Sequence, residues 1–154
     1  MKISKLIFGL VACAFVGNAN AADITIFYAP TCPHCHHARD FISSSLIYEY
    51  DNLKVTEVNI LNSDNTQEFV DALYKCGYKS GGVPVMVVGE KCFQGYADAT
   101  QQELRNAIEI DLTDAQKSAA AANKAAMAQN KDAFVSSHAD RKNAITEHVA
   151  AKKN

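Results

Sequence analysis

The chain has 154 residues, 48% of them hydrophobic, and a formal charge of −2. That length suits one domain with an appendage rather than two full domains, and the apolar share is enough for a real core. The slightly acidic balance argues against nucleic acid or an anionic membrane as a charge-driven partner.

Residues 1–21 read as an export signal. Lys2 and Lys5 precede the apolar run LIFGLVACAFVG, and Ala19-Asn20-Ala21 matches an A-x-A cleavage site. At roughly a dozen residues the run falls short of the ~20 needed to span a bilayer. Removing the segment takes away two lysines and no acids, so the charge moves from −2 to −4. The expectation is a cleaved signal and a periplasmic protein. Leu10-Val11-Ala12-Cys13 resembles a bacterial lipobox, and the alternative is a lipoprotein anchored through Cys13. Four cysteines then remain, Cys32, Cys35, Cys76 and Cys92, an even count compatible with disulfides in an oxidising compartment.

Along the mature chain, ITIFY at 24–28 is short, β-branched and aromatic, and predicts a buried strand. A helix opens at the cysteines, with Cys32 at its entry and Pro33 at its first position. Cys35, Ala38, Phe41, Ile42 and Leu46 share one face of it. Residues 53–60 alternate as a second strand. Asn65 and Glu68 stand at capping-box spacing before a helix whose stripe is Phe69, Val70, Leu73 and Tyr74, with Gly77 as its terminator. Residues 83–88 predict a third strand, Gly89-Glu90 a turn, and 91–96 the returning hairpin partner. Thr100 and Glu103 predict a further capping box, with Leu104, Ala107 and Ile108 facing inward.

The order β-α-β-α-β-β-α predicts an α/β sheet closed by an antiparallel hairpin, over residues 22–112. Residues 113–154 form an alanine-rich tail opened by Thr113 and Gln116 at capping spacing. Its large apolar residues are few, so the favoured expectation is a solvated, partly disordered helical extension, with His138 and His148 in water. The alternative uses the seven-residue step from Met127 to Phe134 as a packing seam.

TCPHCHH, residues 31–37, admits three chemistries. As a dithiol, Cys32 at a helix N-terminus meets free backbone N–H groups and the positive end of the helix dipole, which favour the thiolate. Cys32 is then the nucleophile and Cys35, one turn in and buried, resolves the mixed disulfide. His34 tunes the Cys32 sulfur, and lowering its pKa makes the disulfide a stronger oxidant. As a haem site, Cys32-Pro33-His34-Cys35-His36 satisfies C-x-x-C-H, with Met86 or Met127 as a distant axial ligand. Four strands around the motif disfavour the mostly helical small cytochromes. As a zinc site, His36 or His37 would join the cysteines, but Cys76 and Cys92 make no second close pair. Those two are left as either a structural disulfide or free thiols.

The strand, the C-P-H-C at a helix start and the later strand opening at Val83-Pro84 resemble the thioredoxin superfamily. The resemblance implies a thioredoxin-like fold over about 23–111, a cis Val83–Pro84 bond beside the dithiol, and substrate pairing with the neighbouring backbone. Pro33-His34 resembles the DsbA-like periplasmic oxidases; the length and element order resemble a glutaredoxin. Gly95, Tyr96 and Asp98 partly match the turn and acid that hold glutathione in glutaredoxins, whereas Ala29-Pro30-Thr31 departs from the lysine often found there. What this implies is an exported thiol–disulfide oxidoreductase needing no organic cofactor or metal. Its partners would be exported cysteine-containing proteins and a membrane redox partner, with glutathione as an alternative co-substrate. Two other classes remain: the c-type haem carrier, and a redox-inert binding module using the tail as an interaction helix.

Overall fold

The computed structural model describes Ala21 and residues 23–150. The segment expected to be an export signal therefore lies outside the described residues except for Ala21, and Cys13 lies outside them altogether. Strand β1 (Ile24–Tyr28) leads into α1 (Pro33–Phe41), which continues through a π-helical turn at Ile42–Leu46 into the short α2 (Ile47–Glu49). Then come β2 (Val55–Asn59), a 3-10 turn at Ser63–Asn65, α3 (Thr66–Lys75) and the hairpin of β3 (Val85–Val88) with β4 (Lys91–Gln94). Helices α4 (Asp98–Ile108), α5 (Asp114–Gln129) and α6 (Lys131–Ser137) follow. A 3-10 segment at Ala139–Ala144 leads to β5 (Ile145–Glu147).

The sheet runs β4-β3-β1-β2-β5, with β1 parallel to β2 and antiparallel to β3. Side chains of successive strand residues point to opposite faces, and the sequence uses both. Ile24, Ile26, Tyr28, Met86 and Val88 join Cys35, Ala38, Ile42, Leu104 and Ile108 in one core. Phe27, Val58, Val85 and Phe69 form the core on the other face, under α3. This is the mixed α/β, thioredoxin-like architecture, with a helical part at the C-terminus.

Several local expectations change. The Thr113–Gln116 capping box forms, with the Thr113 N–H donating to Gln116 Oε1 at 2.9 Å. At α4 the helix begins earlier than Thr100, and Thr100 Oγ1 accepts from the Ala97 N–H at 3.1 Å. Asn65 makes no cap. Its fully buried amide donates to Asn59 O at 3.0 Å and accepts from the Ala150 N–H at 3.1 Å. On α3 only Phe69 is buried; Val70 and Tyr74 are 49% and 88% exposed, because the helix meets the sheet along a narrower stripe than the sequence suggested. Gly77 does terminate that helix at φ +70°, the left-handed geometry a C-terminal glycine serves.

The tail differs most. Ala120 and Met127 are buried and Phe134 packs against the same core, so the Met127–Phe134 seam exists and the solvated reading is corrected. Alanines allow α5 to lie close to α2, where Asn123 Nδ2 donates to Glu49 O at 3.1 Å. Arg141 donates to Tyr48 O and to the Asp51 carboxylate. β5 then pairs parallel with β2, from Val55↔Ile145 to Glu57↔Glu147. His148 is not free in water; it pairs with Glu68 at 2.9 Å, and its N–H donates to Glu57 O at 2.8 Å. His138 stacks on Phe134 at 4.1 Å between ring centroids.

Beneath the tail, Arg105 of α4 makes two 2.7 Å bonds to Glu49, whose side chain is only 4% exposed. The Arg105 guanidinium also lies 5.0 Å from the Phe41 ring centre. Breaking a buried pair leaves an uncompensated charge, so Glu49→Ala is expected to cost about 3–5 kcal/mol. Urea unfolding should show the midpoint falling with little change in m.

Candidate active site

Cys32 occupies the N-cap of α1 in extended backbone, φ −89° and ψ 115°, and Pro33 fills the first helical position. Its Sγ accepts the Cys35 N–H at 3.2 Å, so the sulfur takes up one of the donors that the helix start leaves free. Cys32 and Cys35 are disulfide-bonded, Cα to Cα 5.2 Å. Cys35 is 1% exposed and Cys32 half-buried, an asymmetry that presents one sulfur to an incoming partner and shields the other. Cys32 Sγ lies 3.6 Å from Val83 O; in the reduced protein the thiol can donate there.

The Val83–Pro84 peptide is cis. Pro84 O accepts the Gly95 N–H at 2.8 Å, which brings the turn after β4 up to the proline. Gly95 has φ +83°, and a Cβ there would meet nothing within 4 Å, so backbone conformation rather than space selects glycine. Beyond it a groove of about 420 Å³ runs between α1 and the start of α4, lined by His37, Asp40, Tyr96, Asp98 and Gln101 among others. Gln101 donates to Tyr96 Oη at 3.1 Å, and the Tyr96 ring sits 6.2 Å from that of Phe41. Cys32, Cys35, Val83, Pro84 and Gly95 are thus brought together, with Tyr96 and Asp98 on the adjoining groove.

The three histidines separate. His34 is exposed between the two cysteines, and His37 faces the groove. His36 is exposed, with Nε2 2.7 Å from Pro30 O, so the ring nitrogen a haem would need is directed at a carbonyl. Among the described residues no three His, Cys, Asp or Glu side chains converge as a metal site. No helix among them is long and apolar enough to cross a membrane.

The glutaredoxin family model matches residues 24–93. That segment, a little under half of the chain, is similar to a glutaredoxin domain. It carries Cys32, Cys35 and Val83–Pro84, and it ends before Gly95, Tyr96, Asp98 and the tail. Among solved structures the chain is similar to a glutaredoxin from Archaeoglobus fulgidus. The identity is 23% and the TM-score 0.43, over 55% of this chain and 86% of that one. No curated protein matches the chain.

Cys76 and Cys92, left open by the sequence, are bonded to each other with Cα atoms 5.8 Å apart. The bridge joins the end of α3 to β4 and encloses the loop that delivers Val83. Gln94 Nε2 fastens the same loop, donating to Ser80 O at 2.8 Å and Gly82 O at 3.0 Å.

Sequence reasoning missed the charged layer under α1. Arg39 makes bonds of 2.9 and 2.6 Å to Glu57, which is 7% exposed, and its guanidinium lies 4.1 Å from the Tyr28 ring centre. Tyr28 donates to Glu147 at 2.9 and 3.1 Å. The available signal was local: Arg39 stands one helical turn beyond Cys35, and Glu57 occupies an inward position of β2.

Two measurements follow from this geometry. Replacing Cys76 and Cys92 together by serine removes a crosslink of sequence separation 16, and should lower stability by about 3 kcal/mol in denaturant titration. Burial and then the Glu147 hydrogen bond push Tyr28 up from 10 to about 12. The neutral phenol is therefore favoured by folding. Its contribution is fully present below the unfolded value of about 10 and is lost as pH rises through about 12. Thermal midpoints recorded across that range should fall, and less steeply in Tyr28→Phe.

Proposed function

We propose that the protein is an exported thiol–disulfide oxidoreductase exchanging disulfides with cysteines of exported proteins. The observation that carries this reading is the dithiol's asymmetry: Cys32 half-exposed at a helix N-cap, Cys35 buried one turn behind it, and Val83 O beside the outer sulfur. When the oxidised site acts, a substrate thiolate attacks Cys32 Sγ and Cys35 leaves as thiolate. A second substrate thiolate then attacks the substrate sulfur of the mixed disulfide and expels Cys32. The substrate is oxidised by two electrons and the dithiol is left reduced. In the reverse direction the Cys32 thiolate attacks a substrate disulfide and Cys35 resolves the adduct.

Pro33-His34 and an oxidising compartment favour donation of disulfides, with a membrane redox partner reoxidising the pair. His34, exposed between the cysteines, supports the thiolate by a positive charge or a hydrogen bond. A second reading, glutathione-dependent reduction, is supported by the family match together with Gly95 against Pro84 and Asp98 at the start of α4. Glutathione would then lie along the groove as co-substrate.

Cys32→Ser should abolish exchange, whereas Cys35→Ser should trap a mixed disulfide at Cys32, visible by non-reducing electrophoresis and mass spectrometry. Unchanged exchange in Cys32→Ser would leave the redox-inert binding module standing. If Cys35→Ser still removes glutathione from glutathionylated peptides, the second reading is the right one. The reduction potential of Cys32–Cys35 measured against glutathione decides the direction.

A further inference from the structure

The tail reaches the scaffold of the dithiol through Glu147. The register Glu57↔Glu147 sets two carboxylates side by side on the sheet face beneath α1. Like charges directly opposite one another destabilise a strand pair, so each needs its own compensation. Glu57 takes both bonds from Arg39. Glu147 accepts from the Tyr28 hydroxyl, and the ring of that tyrosine lies under the same guanidinium. One cation on α1 thus faces two carboxylates, with the phenol between them. Tyr28 ends β1 four residues before Cys32, and Arg39 follows Cys35 by four.

The placement of Glu147 is itself held by the residues that follow it. The next residue donates its backbone N–H to Glu57 O and pairs its imidazole with Glu68, and Ala150 N–H donates to the buried Asn65. Glu147 remains exposed, so changing it opens no cavity.

We infer that Glu147 is a positioning residue for the dithiol: the tail's carboxylate holds Tyr28 and, through its ring, the Arg39 guanidinium that seats the active-site helix on the sheet. This rests on the thiol-exchange reading above. In Glu147→Ala the titration of the Cys32 thiol in reduced protein, followed by thiolate absorbance, should move by about 0.5 pH unit. The kcat for exchange should fall about threefold at unchanged KM. Glu147→Gln keeps an acceptor for the Tyr28 hydroxyl and should behave as the parent. Tyr28→Phe should reproduce the alanine variant, and the two changes together should be no worse than either alone. Parental titration and kcat in Glu147→Ala, equal impairment in Glu147→Gln, or additive effects in the double variant would overturn the inference. The titration needs no substrate, so a parent chain inactive in exchange would sink the thiol-exchange reading and leave the Glu147 outcome readable.

Discussion

A carboxylate set into the interior of the sheet constrains the whole candidate site. Glu57 sits on β2 with 7% exposure, and an ionised group there is tolerable only if it is paired and hydrogen-bonded. Arg39 supplies both bonds, and in doing so it fixes how α1 is rotated about its axis. With Arg39 turned toward β2, Cys35, Ala38 and Ile42 face the core, and Cys32 comes to the helix entry opposite Val83. The difference in exposure between the two sulfurs follows from that rotation.

A second charge pair performs the equivalent task at the other end of the same helix. Through the π-helical turn at Ile42–Leu46, residues from Leu46 to Tyr50 are all buried, including Glu49. Arg105 answers Glu49 from α4, Asn123 answers its backbone carbonyl from α5, and Tyr50 donates to Glu109 at 2.6 Å. Burial and then that Glu109 bond push the Tyr50 phenol upward. The first long helix is therefore fastened at both ends by polar groups that the apolar core alone would not place. The tail takes part in both fastenings, Asn123 at one and Glu147 at the other.

Legibility in the sequence followed the range of the interactions. Cys32 at the helix entry, Pro33 behind it, the β3–β4 hairpin, the Gly77 stop and the Thr113–Gln116 box depend on residues a few positions apart, and all were readable. Thr100 and Asn65 were misread because a capping pattern states which bonds are available, not which competitor wins. Asn65 lost its cap to Asn59 O and to the tail backbone at Ala150. Val70 and Tyr74 were misread because helical periodicity defines a face without saying how much of it the sheet covers. β5 could not be read, since three residues carry no usable alternation and its partner lies ninety positions upstream, Val55 against Ile145.

By itself the sequence determined the groups on offer: a cysteine pair whose first member starts a helix, a proline-led strand after it, and alternation enough for a two-faced sheet. Those are consequences of backbone geometry and local polarity, which a short window contains. Only the tertiary structure decided that Cys76 meets Cys92, that Arg39 joins Glu57 and Tyr28, and that the tail completes the sheet and touches Tyr28. Each of these depends on groups far apart in the chain whose pairing is selected by burial, where an unpartnered charge or an open strand edge is too costly to leave.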